Sequence, residues 1–135
     1  MIKIQYNIPL YDIDVTMIQV ENEKDKNVIL ACMRNIKCDQ EYIDSVDDYV
    51  TRGCFNGGDT FRNFDLRKML VIFYPQSDEE TRWEVYMHEK RHIEDRVMEF
   101  TNVKDIESAA LLAGFLACKF YQFTQMVHEK LKDNA

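Results

Sequence analysis

The sequence predicts an α+β fold, a small sheet packed on two long helices, and three observations carry that prediction. The run Met69-Leu70-Val71-Ile72-Phe73-Tyr74 is continuously apolar and is stopped by Pro75, which is strand length and strand composition. From about Glu79 to Phe100, the positions Trp83, Tyr86, Met87, Ile93, Val97 and Phe100 recur at helical spacing. A last helical pattern starts near Lys104 or Asp105 and reaches towards Leu131. With 135 residues and 46% hydrophobic content the chain can bury one real core but not two, so residues 1–135 read as a single domain.

The elements follow in order. Ile2, Ile4 and Tyr6, then Ile13, Val15 and Met17, alternate onto one face around Pro9, which predicts two short strands or one bent strand. Glu21 to Asn27 is a charged connector, Val28 to Ile36 a short amphipathic helix, and Asp39 to Thr51 a second polar helix or an irregular stretch. Asn56-Gly57-Gly58-Asp59 is the clearest turn signal, and Phe55 to Phe64 is expected to be a loop. Ser77 or Asp78 can cap the helix that follows Pro75, with Glu79 and Glu80 in the first turn where the helix dipole favours negative charge. Thr101-Asn102 separates it from the last helix.

Charge and composition exclude several classes of function. A net charge of -7 and a pI near 4.9 disfavour phosphate backbones and anionic membrane surfaces, so neither nucleic acid nor membrane is an expected partner. The N-terminal Met1-Ile2-Lys3-Ile4-Gln5-Tyr6 lacks the pattern of a signal peptide, which makes a cytoplasmic location the expectation. Ala109 to Cys118, the most apolar stretch, is about half the length that crosses a bilayer and reads as a buried helix. Cys32, Cys38, Cys54 and Cys118 form no C-x-x-C pair and read as reduced packing residues.

The chemistry-bearing feature is His88-Glu89-Lys90-Arg91-His92 within the predicted helix, the H-E-x-x-H zinc pattern. Positions i and i+4 lie on one face about 6 Å apart along the axis, so two imidazoles can converge on one ion. Glu89, one step round, can address a water on that ion without binding it. Catalytic zinc sites take three protein donors and leave a fourth position for water. Asp95 and Met98 stand where a metzincin would place its glycine and third histidine, which excludes that subclass. Asp95 is too far from His88 for all three to share an ion, and its expected part is to accept a hydrogen bond from a ligand ring.

The last helix offers Glu107 and His128 as third donors, and roughly 30 Å of helix between them means that only one can serve. Glu107 is preferred, since an antiparallel return after Thr101-Asn102 brings the start of that helix beside the end of the first. Ala110, Gly114 and Cys118 form a small-residue stripe expected to let the two helices approach closely. Neither Gly57-Gly58 nor the acidic group Asp44, Asp47 and Asp48 has the context of a phosphate loop or a calcium loop.

His88-Glu89-x-x-His92, followed by Glu107-Ser108-Ala109-Ala110-Leu111-Leu112-Ala113-Gly114, resembles the H-E-x-x-H plus E-x-x-A arrangement of small gluzincin-type zincins found on phages, prophages and conjugative elements. The resemblance implies a minimal zincin-like domain, zinc held by His88, His92 and Glu107, Glu89 as general base, and a peptide or protein substrate cleaved by hydrolysis. It also implies that the strand before the active helix, the run ending at Tyr74, binds an extended peptide by edge pairing. It leaves the oxyanion-stabilising group unassigned; Tyr86 and Tyr121 are the tyrosines considered. Two alternatives stand beside this reading. Both histidines can be surface residues among i,i+4 ion pairs of Lys90 with Glu94 and Arg91 with Asp95, or the chain can keep the zincin shape as an inactive metal-binding or interaction protein.

Overall fold

Apolar alternation through the first nineteen residues builds a hairpin, β1 (Ile2–Ile8) and β2 (Ile13–Gln19), paired antiparallel from Ile2 opposite Gln19 to Ile8 opposite Ile13. The turn places Asp12 at φ 51°, in the left-handed region that aspartate tolerates better than most residues. In the computed structural model, which describes residues 1–134, the chain then makes a single 3-10 turn at Glu23–Asp25 and two helices, α1 (Lys26–Asn35) and α2 (Gln40–Thr51). A second hairpin follows, β3 (Gly58–Asn63) and β4 (Lys68–Phe73). Two long helices end the chain, α3 (Glu79–Thr101) and α4 (Ile106–Asp133).

The sheet order is β1-β2-β4-β3, with β2 and β4 parallel. Parallel pairing requires a crossover, and α1 and α2 supply it, covering the second face of the sheet. The result is three layers rather than a sheet with helices on one side only. Along β4, Met69, Val71 and Phe73 point to the α3–α4 core, while Leu70 and Ile72 join Ile29, Met33, Ile43 and Val50 on the α1–α2 side. Burial on both faces is why this strand reads as an unbroken apolar run.

Several expectations are corrected by this packing. The segment taken as a loop, Phe55 to Phe64, contains β3, whose only true turn is Gly57 at φ 72°. The stripe Ala110, Gly114 and Cys118 faces solvent, and a Cβ on Gly114 would meet nothing within 4 Å. The face of α4 that enters the core is instead Leu112, Leu116, Phe120, Phe123 and Val127, because large apolar side chains remove more area from water than small ones. The stretch from Ala109 to Cys118 is accordingly amphipathic, with Leu111 exposed. The four cysteines are free: Cys32 and Cys38 pack against the α1–α2 core, whereas Cys54 and Cys118 are exposed and stand outside both cores. Among the described residues no helix is long and apolar enough to cross a membrane.

Candidate metal centre

Helix α3 starts at Asp78, whose side chain accepts from the Thr81 backbone N–H at 2.7 Å, a bond that holds the carboxyl below its usual range. Asn102, at φ 54°, turns the chain out at the other end. Between these caps, Tyr86, Glu89, Ile93 and Val97 point inward. Tyr86 is fully buried and its hydroxyl donates to Gln19 Oε1 at 2.6 Å, so its polar end is spent inside the core; burial pushes its phenol well above the ordinary range. Tyr121 lies outward on α4, 61% exposed. Neither tyrosine is placed to stabilise an oxyanion at the histidines.

The helix register sets His88 and His92 on the flank of α3 that faces the β3 edge. Their Nε2 atoms are 3.0 Å apart, and the rings cross at 83°. Two nitrogens at 2.0–2.1 Å from one tetrahedral zinc lie about 3.3 Å apart, so the observed spacing fits a shared ion within a few tenths of an ångström. One ligand atom each from His88, Glu89 and His92 lies within 4.8 Å of the other two. The three side chains of the motif therefore converge as the sequence spacing requires, with the chemistry of a divalent-metal site.

Glu89 is 3% exposed, and it and Gln19 are the buried polar side chains of the described core. A buried carboxylate needs hydrogen-bond partners, and Glu89 Oε2 accepts from the Thr60 hydroxyl on β3. Gly58 makes this approach possible: a Cβ there would stand 2.9 Å from the Ile72 carbonyl and 3.1 Å from Glu89 Cγ. Gly58→Ala is expected to destabilise the domain by about 1–3 kcal/mol, as overpacking against backbone does, and urea unfolding will read it. Gly57, Gly58, Glu84, Val85, His88 and Glu89 line a cleft of about 330 Å³ that opens on this carboxylate.

Glu107 is not brought into the cluster. It is exposed in the first turn of α4, and among the described residues the converging group is His88, Glu89 and His92 alone. The reason is where α3 ends. It continues to Thr101 before the chain turns, about 13 Å beyond His92, and α4 is only two residues long at Glu107. In addition α4 packs over β1 while α3 packs over β3 and β4, so the histidines and the start of α4 lie on different flanks. Asp95 does not reach a ring either: its Oδ1 pairs with Arg91 Nε at 3.1 Å, and Lys90 pairs with Glu94 at 3.2 Å. Both i,i+4 ion pairs foreseen around the motif are thus formed, and they coexist with the convergence of the histidines. His128 lies far along α4 and belongs to no cluster.

Thr60 and Gly58 are the positions beside Glu89 that sequence reasoning missed, since nothing local links them to a helix some thirty residues on.

The edge nearest the cleft belongs to β3. The expected peptide-pairing strand, the run ending at Tyr74, lies between β2 and β3 and has no free edge. The Tyr74 N–H bond to the Gly57 carbonyl, 3.1 Å, sets the phase of the ladder. Asp59, Phe61 and Asn63 spend their backbone groups on β4, and those of Gly58, Thr60 and Arg62 face outward.

No protein-family model, no curated protein and no solved structure matches this chain.

Proposed function

We propose that the protein is a zinc-dependent peptidase of the minimal zincin type, with zinc held by His88 and His92 and Glu89 as general base. The observation that carries this is the 3.0 Å approach of the two Nε2 atoms beside a buried carboxylate, in the H-E-x-x-H order. Zinc, when bound, supplies a water of lowered pKa and polarises a carbonyl oxygen. Glu89 takes the proton from the attacking water and delivers it to the leaving amine, and Thr60 fixes the carboxylate so that its second oxygen faces the cleft. An extended peptide pairs with the outward groups of Gly58, Thr60 and Arg62 on β3, which carries its backbone past Glu89. Glu107 takes no part in this reading, so the site offers two imidazole donors, one protein donor fewer than catalytic zinc sites usually have, and water or substrate fills the remaining positions.

The reading is tested by metal content and by turnover separately. Equilibrium dialysis is expected to find one zinc per chain, and His92→Ala is expected to weaken its binding by at least about 100-fold. Glu107→Ala is expected to leave affinity within about threefold, since its side chain stands apart from the cluster. Unchanged zinc affinity in His92→Ala would remove the site. Zinc binding without hydrolysis of any peptide in a broad library would leave an inactive metal-binding protein, the second reading, which the absence of an oxyanion-stabilising tyrosine from the described cleft favours.

A further inference from the structure

A trough of about 1020 Å³ runs along the free edge of β3, walled by α2 on one side and reaching Phe100 of α3 on the other. The outward-facing backbone groups lie on its floor. On its α2 side, beyond Asp39 at the N-cap of α2, it holds the carboxylate of Asp59, in a lining shared with the rings of Tyr42, Tyr49 and Phe61. Asp59 Oδ2 accepts from the buried Tyr74 hydroxyl at 2.9 Å. Among the described residues the other oxygen has no hydrogen-bond partner and is not sealed from the trough, and no cation comes within 4.0 Å of the group.

We propose that this pocket takes a basic side chain, lysine or arginine, of an extended peptide lying on the β3 edge. That an extended peptide presents this side chain rests on the peptidase reading above; the pocket itself does not. Its recognition chemistry has three parts. The aromatic rings of Tyr42 and Phe61, 6.0 Å apart, give the aliphatic stem an apolar wall. Their faces and that of Tyr49 attract a cation. The Asp59 carboxylate at the bottom supplies a charge-assisted hydrogen bond, and Tyr74 holds it in place. Half-burial without a cation already pushes the Asp59 carboxyl up from its ordinary value, against the pull of the Tyr74 bond, so an arriving ammonium or guanidinium relieves a cost that the free protein carries. Lys37 and Arg62 also border the trough, as do Asp39 and Asp65, but Arg62 sits on the opposite face of β3 with its guanidinium over the Phe64 ring.

Strand parity states which residue of the peptide is read. Directly opposite residues on paired strands have their side chains on the same face, about 5 Å apart. A peptide residue opposite Thr60 turns its side chain towards α3 and Glu89, and its chain neighbours, opposite Asp59 and Phe61, turn theirs into the pocket. The basic residue therefore sits next to the one that lies beside Glu89.

The test uses the full-length Glu89→Gln protein loaded with zinc, so that cleavage does not consume the probe. Fluorescence anisotropy would compare labelled oligo-alanine peptides bearing one central lysine, arginine, norleucine or glutamate. Lysine and arginine peptides are expected to bind at least tenfold tighter than the other two, with the margin shrinking at high salt and falling below threefold in Asp59→Asn, which keeps the Tyr74 bond. Tyr42→Ala, at an exposed position, is expected to weaken the lysine peptide several-fold without disturbing the fold. Equal binding of lysine and norleucine peptides, a preference that survives Asp59→Asn, an unaffected Tyr42→Ala or no binding at all would overturn the pocket. A basic preference in a wild-type protein that cleaves nothing would sink the peptidase reading and leave the pocket; cleavage indifferent to basic residues would do the reverse.

Discussion

Glu89→Gln is expected to bind zinc as the parent does and to hydrolyse peptides about 10²- to 10⁴-fold more slowly, the range that removal of a positioned general base costs. The proposed roles separate the two effects. In the proposed site the imidazoles of His88 and His92, whose Nε2 atoms lie 3.0 Å apart, hold the metal, whereas Glu89 lies one helical step inward, against Thr60 and Gly58. Glutamine keeps the volume and can still accept from the Thr60 hydroxyl, so the cleft retains its shape. What it loses is the capacity to take a proton. Parallel measurement of zinc content, thermal stability and turnover of a cleavable peptide decides the matter. A variant as active as the parent would place the proton transfer elsewhere, and one that also lost its zinc would make Glu89 a ligand.

Phe73→Ala is expected to cost about 3–5 kcal/mol of stability, the range for truncating a fully buried phenylalanine. Phe73 is inaccessible to solvent and touches both long helices through aromatic contacts, with ring centroids 4.5 Å from Tyr86, 6.0 Å from Phe120 and 5.7 Å from Phe123. It thus joins the helix that carries the histidines to the helix that covers the hairpin. A domain of this size has roughly 5–15 kcal/mol in total, so the variant gives up from about a fifth of that margin to all of it. Urea denaturation followed by circular dichroism measures this. Tyr121→Ala, on the solvent face of α4, should shift stability by no more than about 0.5 kcal/mol. Similar costs for the two would mean that the core does not close around Phe73 as described.

Legibility in the sequence followed the range of the interaction. The limits of α3 were readable from Asp78, Glu79 and Glu80 at one end and Asn102 at the other, because caps act over three or four residues. β4 was readable because burial on both faces leaves an unbroken apolar run. β3 was not: Gly58-Asp-Thr-Phe-Arg-Asn is polar at most positions, as an edge strand half-covered by two helices can be, and its glycines signalled only a turn. The small-residue stripe of α4 misled for a related reason. A helix with apolar residues around most of its circumference does not declare which side will meet the core, and the larger side chains took it.

The sequence by itself determined the α+β class, the two long helices and the convergence of His88 and His92, since a spacing of four residues on an α-helix has only one geometric outcome. Tertiary structure alone decided that Thr60 secures Glu89, that β3 rather than β4 presents the free edge, and that Glu107 stays apart from the histidines. Each of these depends on distances between elements far apart in the chain, which are set by crossover topology, helix length and the filling of two cores, and no local periodicity encodes them.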